Sequence, residues 1–235
     1  MTRLFLFGAG GRMGRAVAAV AAARDDVGIV SDVAAADVIV DFSVPDALEK
    51  HLRTALGTGT PIVVGTTGLT PDHHRAIDAA AERIAVLQAA NTSYGIAVLR
   101  ALVERAARLL GPDWDAEILE MHHRDKLDTP SGTALLLGAS VNEGRGAPGA
   151  TDLNRFDRMQ EGPHPREPGG VYYASLRGGS VAGDHLVIFA GDDERIELGH
   201  RAENRSVFAR GAIHAALWLK DCPAGRYTMA DVLGL

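Results

Sequence analysis

Residues 4–14 run Leu4-Phe5-Leu6-Phe7-Gly8-Ala9-Gly10-Gly11-Arg12-Met13-Gly14, and an alanine-rich, helix-forming stretch continues to about Arg24. An apolar strand that runs straight into glycines and then a helix is a physical recipe for holding a pyrophosphate. The glycines let the backbone approach the phosphates, and the amide N–H groups at the helix start point at negative charge. The usual G-x-G-x-x-G spacing would put Met13 at its third glycine. The match is better written G-x-x-G-x-x-G through Gly8, Gly11 and Gly14. A tight turn with no ligand is the plain alternative, and the position after the first strand favours a cofactor. The candidate contacts here are Gly8, Ala9, Gly10, Gly11, Arg12 and Met13.

Outward from this turn, buried-strand candidates recur at residues 38–42, 61–65 and 84–89, separated by helical stretches near 45–56 and 71–83. Such alternation predicts βαβ units and a parallel, Rossmann-type sheet. Ligands of open α/β sheets sit outside the carboxyl ends of the strands. The turn Gly65-Thr66-Thr67-Gly68 therefore suits the nicotinamide half of a cofactor; the alternative is an ordinary turn with a helix cap at Thr70. One region is short. Residues 27–30 look like a second strand, yet only seven residues separate them from Val38, too few for a helical crossover. The sheet is therefore expected to lack or reduce one strand–helix pair. Asp32, 18 residues beyond Gly14, stands about where an acidic residue would bind ribose hydroxyls. Otherwise it is a solvent-facing turn residue.

The pattern changes after Asn91-Thr92-Ser93. Ile96, Leu99, Val103, Ala106 and Leu110 follow helical spacing. A strand is expected over 115–123, an apolar helix from about Ser131, and a long irregular loop over 144–170. Three β segments near 171–177, 184–190 and 194–201 have short turns that suit antiparallel pairing. A last helix over 206–220 carries Phe208, Ile213, Ala216 and Leu217 on its apolar side. Parallel alternation first and consecutive strands later predict two domains, an α/β fold followed by an α+β one.

Residues 120–134 carry the chemistry: Glu120-Met121-His122-His123-Arg124-Asp125-Lys126-Leu127-Asp128-Thr129-Pro130-Ser131-Gly132-Thr133-Ala134. Adjacent strand residues point to opposite faces, so His122 and His123 share a pocket only if the strand ends there. A helix opening near Ser131 would offer the amides of Gly132 and Thr133 to a carboxylate, worth roughly 0.3–2 kcal/mol, and Lys126 adds a compact cation. This is a dianion-binding, proton-donating constellation. The alternatives are structural histidines, a surface lysine, or a metal site; diverging ligands and no nearby cysteine argue against a metal, and none is expected.

Composition bounds the rest. The 235 residues are 46% hydrophobic, carry a net charge of −6 and hold one cysteine, Cys222. No Lys/Arg run suggests nucleic acid. No apolar run approaches a membrane span, and the apolar start breaks at Gly8, short of a signal-peptide core. The lone cysteine fits a reducing compartment, so a soluble, cytoplasmic protein is expected.

The stretch E-x-H-H-x-x-K-x-D-x-P-S-G-T-A resembles the signature of the dihydrodipicolinate reductases. The chain is similar to that family also in G-x-x-G-R-M-G, in Asp41-Phe42-Ser43, in G-T-T-G and in Ala89-Ala90-Asn91-Thr92-Ser93. Arg177-Gly178-Gly179 and the segment from Gly183 through His185 to Phe189 continue the likeness. The resemblance implies reduction, by NADH or NADPH, of a small cyclic imine bearing two carboxylates, in lysine and diaminopimelate biosynthesis. It implies a Rossmann domain of residues 1–92 completed by 206–235, a substrate and tetramerisation domain over 93–205, and a homotetramer. It implies His122 as general acid/base and Lys126 as proton donor. His123, Ser131, Gly132, Thr133 and Arg205 are the implied substrate contacts, and Ala89, Ala90, Asn91 and Thr92 join Gly65, Thr66 and Thr67 toward the cofactor. The shortened 25–37 region leaves the cofactor preference open, with both nicotinamides expected to serve. Another Rossmann oxidoreductase would lack the H-H-x-x-K…S-G-T segment, and a non-catalytic dinucleotide sensor would tend to lose His122 or Lys126.

Overall fold

Val38, Ile39, Val40 and Asp41 are all buried, as are Ile62, Val63 and Val64. Strands without a polar face belong inside a parallel sheet covered on both sides. The computed structural model, which describes residues 1–150, 153–157 and 160–235, shows that sheet. It also divides the chain into two compact units, Met1–Tyr94 with Arg205–Leu235, and Gly95–Asn204.

In the first unit the chain runs β1 (Thr2–Phe7), α1 (Arg12–Ala22), β2 (Val27–Val30), β3 (Val38–Asp41), α2 (Leu48–Thr58), β4 (Ile62–Val64), α3 (Pro71–Ala81) and β5 (Ala85–Gln88). The six-stranded sheet has the order β11-β5-β4-β3-β1-β2, every pair parallel; β11 (Gly225–Tyr227) comes from the far end of the chain. Ile39, Ile62, Val64 and Val86 face Leu48, Leu52 and Ala55 of α2 and Ile77 and Ala80 of α3. Each fully buried Val, Leu or Ile among these contributes about 1.5–3 kcal/mol. The helix α6 (Ser206–Leu219) packs on α1 and on β3, β4 and β5. The expected shortening is real: β2 is the edge strand beside β1, and a single 3-10 turn, Val33–Ala35, replaces the crossover helix. Asp37 fastens that link, accepting from the Arg3 amide at 2.8 Å and the Arg3 guanidinium at 2.6 Å. These bonds from Arg3 lower the Asp37 carboxyl to about 2.

The second unit holds α4 (Tyr94–Leu110, whose first residue belongs to the first unit), β6 (Asp115–His122), α5 (Gly132–Gly144), β7 (Asn154–Arg155), β8 (Val171–Arg177), β9 (Asp184–Ala190) and β10 (Arg195–Arg201). Ile96, Leu99, Val103 and Ala107 of α4 and Ala134, Leu137 and Val141 of α5 form one core with Ala116, Ile118, Val187 and Phe189 of the sheet. Here one expectation is corrected. Of the three β segments of 171–201, β9 and β10 pair antiparallel as expected, but β8 is not the neighbour of β9, because the sheet order is β10-β9-β6-β8-β7. β6 lies between β8 and β9, parallel to the first and antiparallel to the second. The link over 178–183 is long enough to step across one strand, since strands lie only about 4.8 Å apart. Of the expected irregular loop over 144–170, residues 151, 152, 158 and 159 lie outside the described residues. The rest contains β7, paired with β8, and is tied down by Arg145 and Arg166, which donate to the carbonyls of Gly169, Trp114, Ala116 and Gly170. Among the described residues no helix is long and apolar enough to cross a membrane.

Candidate active site

The parallel register brings the ends of β1, β2, β3, β4 and β5 to one edge of the first sheet. Gly8, Asp32, Asp41-Phe42-Ser43, Gly65-Thr66-Thr67-Gly68 and Ala89-Ala90-Asn91-Thr92 lie at or just past those ends. Gly8 takes φ +76°, and its carbonyl accepts from the Gly11 amide at 2.9 Å. A Cβ at Gly14 would fall 2.2 Å from that carbonyl oxygen, whereas one at Gly10 would meet nothing. The structural demand therefore falls on Gly8 and Gly14, the outer members of the wider spacing. Gly11 caps α1 without a side-chain bond, and no acidic residue occupies the first turn. Arg12 opens the helix, exposed, and Arg15 donates to the Gly10 carbonyl. This uncapped, anion-seeking cradle fits a dinucleotide pyrophosphate. Asp32 is exposed and accepts from the Ala34 amide at 3.0 Å, capping its short turn. Thr92 is committed inward, donating to the Phe208 carbonyl at 2.7 Å.

The second cluster lies within the second unit, where β6 changes character along its inward face. Ala116 and Ile118 are followed at the same two-residue period by Glu120 and His122, both buried. β6 ends at His122, so His123 and the turn to Lys126 leave the strand; the Lys126 amide donates to the His123 carbonyl. Pairing sets Ser175 and His185 opposite Glu120, and Arg177 opposite His122. Glu120 is 1% exposed. It accepts from His122 Nδ1 at 2.6 Å, from two Arg177 nitrogens at 2.8 and 2.7 Å, and from the Ser131 amide at 3.2 Å. Burial raises its pKa, but bonds from His122, Arg177 and Ser175 outweigh burial and bring it down to about 2. An isolated carboxylate so deep would be costly; this one is multiply bonded and ionised. His122 turns Nδ1 to this carboxylate, which leaves Nε2 as the ring nitrogen directed away from it. That nitrogen faces Gly183, where an added Cβ would lie 3.0 Å away.

Ser131 caps α5, its hydroxyl accepting from the Ala134 amide at 3.1 Å and lying 3.0 Å from Nε2 of buried His185. Burial, reinforced by the neighbouring His122, drops the His185 pKa to about 3, so this ring is a neutral acceptor. Gly132 and Thr133 open the helix behind the cap. Lys126 Nζ holds both oxygens of Asp128 at 2.8 Å. It lines a cavity of about 740 Å³ with Thr129, Pro130, Tyr173 and Arg177. Arg205 is exposed at the start of α6, in the first unit. Among the described residues no three His, Cys, Asp or Glu side chains converge on a metal position. Sequence reasoning did not place Glu120, Arg177 and His185 among the site residues. The period-two spacing of Glu120 and His122 was an available signal, whereas Arg177 and His185 join only through the strand order.

Family models described as the N-terminus and the C-terminus of dihydrodipicolinate reductase match residues 29–92 and 95–233. The 4-hydroxy-tetrahydrodipicolinate reductase of Zymomonas mobilis subsp. mobilis is 51% identical, covering 99% of this chain and 97% of its own. That of Rhodopseudomonas palustris is 44% identical over the same shares. Among solved structures, a dipicolinate-bound dihydrodipicolinate reductase from Paenisporosarcina sp. TG-14 has a similar fold. Its TM-score is 0.76 at 21% identity, with 98% of each chain covered.

Proposed function

The chain belongs to the dihydrodipicolinate reductase family, and from that premise we propose that its chemistry runs on the Glu120–His122 pair with Lys126. The chain is an oxidoreductase that reduces the cyclic imine derived from 4-hydroxy-tetrahydrodipicolinate to tetrahydrodipicolinate with a nicotinamide cofactor. When bound, the reduced nicotinamide supplies the hydride, and the protein supplies orientation, charge and a proton. Hydride addition to a conjugated imine leaves an electron-rich product that must gain a proton. His122 delivers it from Nε2 while Glu120 keeps the Nδ1 proton in place, stabilising the charged ring before transfer and fixing the tautomer after it. Lys126 presents its ammonium to the imine side of the substrate. Asp128, largely exposed, is the carboxylate that an incoming dicarboxylate displaces from that ammonium. The opening of α5 at Ser131, Gly132 and Thr133, with His123, receives the substrate carboxylates; Arg205 is a further anion contact.

The cradle around Gly8 to Met13, the Gly65–Thr67 turn and Ala89–Thr92 hold the cofactor. Both NADH and NADPH serve, with Asp32 on the ribose. The working form is a homotetramer, and a chain with a single cysteine suits the cytoplasm. The observation that carries the mechanism is the 2.6 Å bond from His122 Nδ1 to Glu120 at the buried end of β6. The test is a coupled assay with freshly generated imine, following loss of reduced-nicotinamide absorbance. Turnover is expected, with competitive inhibition by planar pyridine-2,6-dicarboxylate. No turnover with either nicotinamide, or no inhibition at millimolar dicarboxylate, would count against this assignment.

A further inference from the structure

Asp41-Phe42-Ser43 lies between the two glycine turns, at the end of β3. Asp41 ends β3 fully buried, where the rest of β3 and β4 is valine and isoleucine. Its carboxylate accepts from His51 Nδ1 of α2 at 2.9 Å, from the Ser43 amide at 2.9 Å and from Thr66 Oγ1 at 3.4 Å. Its own carbonyl accepts from the Gly65 amide at 2.8 Å. The His51 ring lies flat on Phe7, 3.6 Å between centres and 3° between planes. One buried acid and one histidine therefore fasten the ends of β1, β3 and β4 together. Between these bonds stands Phe42. A Cβ at Gly8 would lie 2.4 Å from the Phe42 carbonyl oxygen, and one at Gly65 would lie 2.2 Å from its ring. Phe42 thus fills the space that both glycine turns leave, and its own neighbours in the chain are what the clasp holds.

We infer that Asp41 and His51 are positioning residues for the dinucleotide, acting through Phe42 to set the distance between the Gly8 and Gly65 turns. The inference rests on the cofactor reading above. A carboxylate is costly to bury without partners, and a side-chain donor to a charged group is among the stronger single bonds in a protein. Removing the His51 donor loosens both turns at once, while the cluster around His122 keeps all its partners.

The test compares wild type, His51→Leu and His51→Asn by fluorescence titration with NADH, by steady-state kinetics and by thermal unfolding. Asparagine places an amide nitrogen near the position of Nδ1. The leucine variant is expected to bind NADH roughly 10-fold more weakly or worse, with kcat and the imine KM within about twofold of wild type. The asparagine variant is expected to recover most of the affinity. A leucine variant with wild-type NADH affinity overturns the inference. So does an asparagine variant that folds but binds as weakly as leucine, which would make the ring stack the working contact. Wild type that binds neither NADH nor NADPH would defeat the cofactor reading instead.

Discussion

His122 and His185 lie edge to face, 5.1 Å between ring centres, and their surroundings give them different work. His122 meets an ionised carboxylate. His185 is enclosed, bonded to the Ser131 hydroxyl, and its pKa is depressed to about 3 by burial and by the ring beside it. The depressed value has a consequence for stability. In the unfolded chain a histidine takes up a proton below about pH 6.5, while folded His185 stays neutral until about pH 3. Its contribution to stability is therefore complete above pH 6.5 and declines as pH falls toward 3, at up to about 1.4 kcal/mol per pH unit. Glu120, lowered to about 2, adds its own decline only below about pH 4.5. Denaturant unfolding at pH 6.5, 5.5 and 4.5 is expected to show a shallower slope for His185→Gln than for wild type. Equal slopes would mean that His185 is charged in the folded protein.

At the scale of elements, the short link after β2 bears on what the adenosine end of the cofactor would meet in the proposed site. Asp32 stands two residues past β2, next to the strand that carries the glycine turn. In the proposed cofactor site a carboxylate there would favour ribose hydroxyls over a 2′-phosphate, and the exposed guanidinium of Arg12 would offset the penalty. The expected outcome is turnover with both cofactors, and a several-fold shift of the kcat/KM ratio toward NADPH in Asp32→Ala. An unchanged ratio would leave Asp32 as a turn cap alone. The missing crossover helix was legible because seven residues cannot hold one. The strand–helix alternation was legible because parallel strands are uninterrupted apolar runs. The β8–β6–β9 order was not, since nothing in residues 171–190 says that an earlier strand inserts between them. β11 and α7 (Met229–Leu233) were also missed; β11 is only three residues long, and pairing with β5 makes it a strand.

At the scale of the whole molecule, the second sheet buries one face under α4 and α5; on its other face Arg166 covers Tyr172, while the end nearer His122 carries partly exposed apolar side chains. Leu119, Met121, Leu176 and Leu186 lie on that other face, Leu176 with 44% of its surface exposed. Apolar sheet faces of this kind are usually covered by a partner, which supports the proposed homotetramer. Light scattering at micromolar concentration is expected to give about 100 kDa, four chains of 24.8 kDa, and Leu176→Glu is expected to yield smaller species. A wild-type monomer would contradict the proposal. The proposed division of labour between the units comes only from the ordered motifs. Composition and periodicity alone support two domains and a dinucleotide cradle.

The central claim is that His122 moves the proton while the first unit holds the cofactor. The most direct measurement is turnover of His122→Ala and Lys126→Ala with fresh imine, alongside NADH titration of the same preparations. Acid–base groups contribute about 10²–10⁴ in rate, so each variant is expected to lose at least ~10²-fold in kcat with NADH affinity unchanged. Turnover within a few-fold of wild type, or lost NADH affinity with full turnover per bound enzyme, would contradict the account.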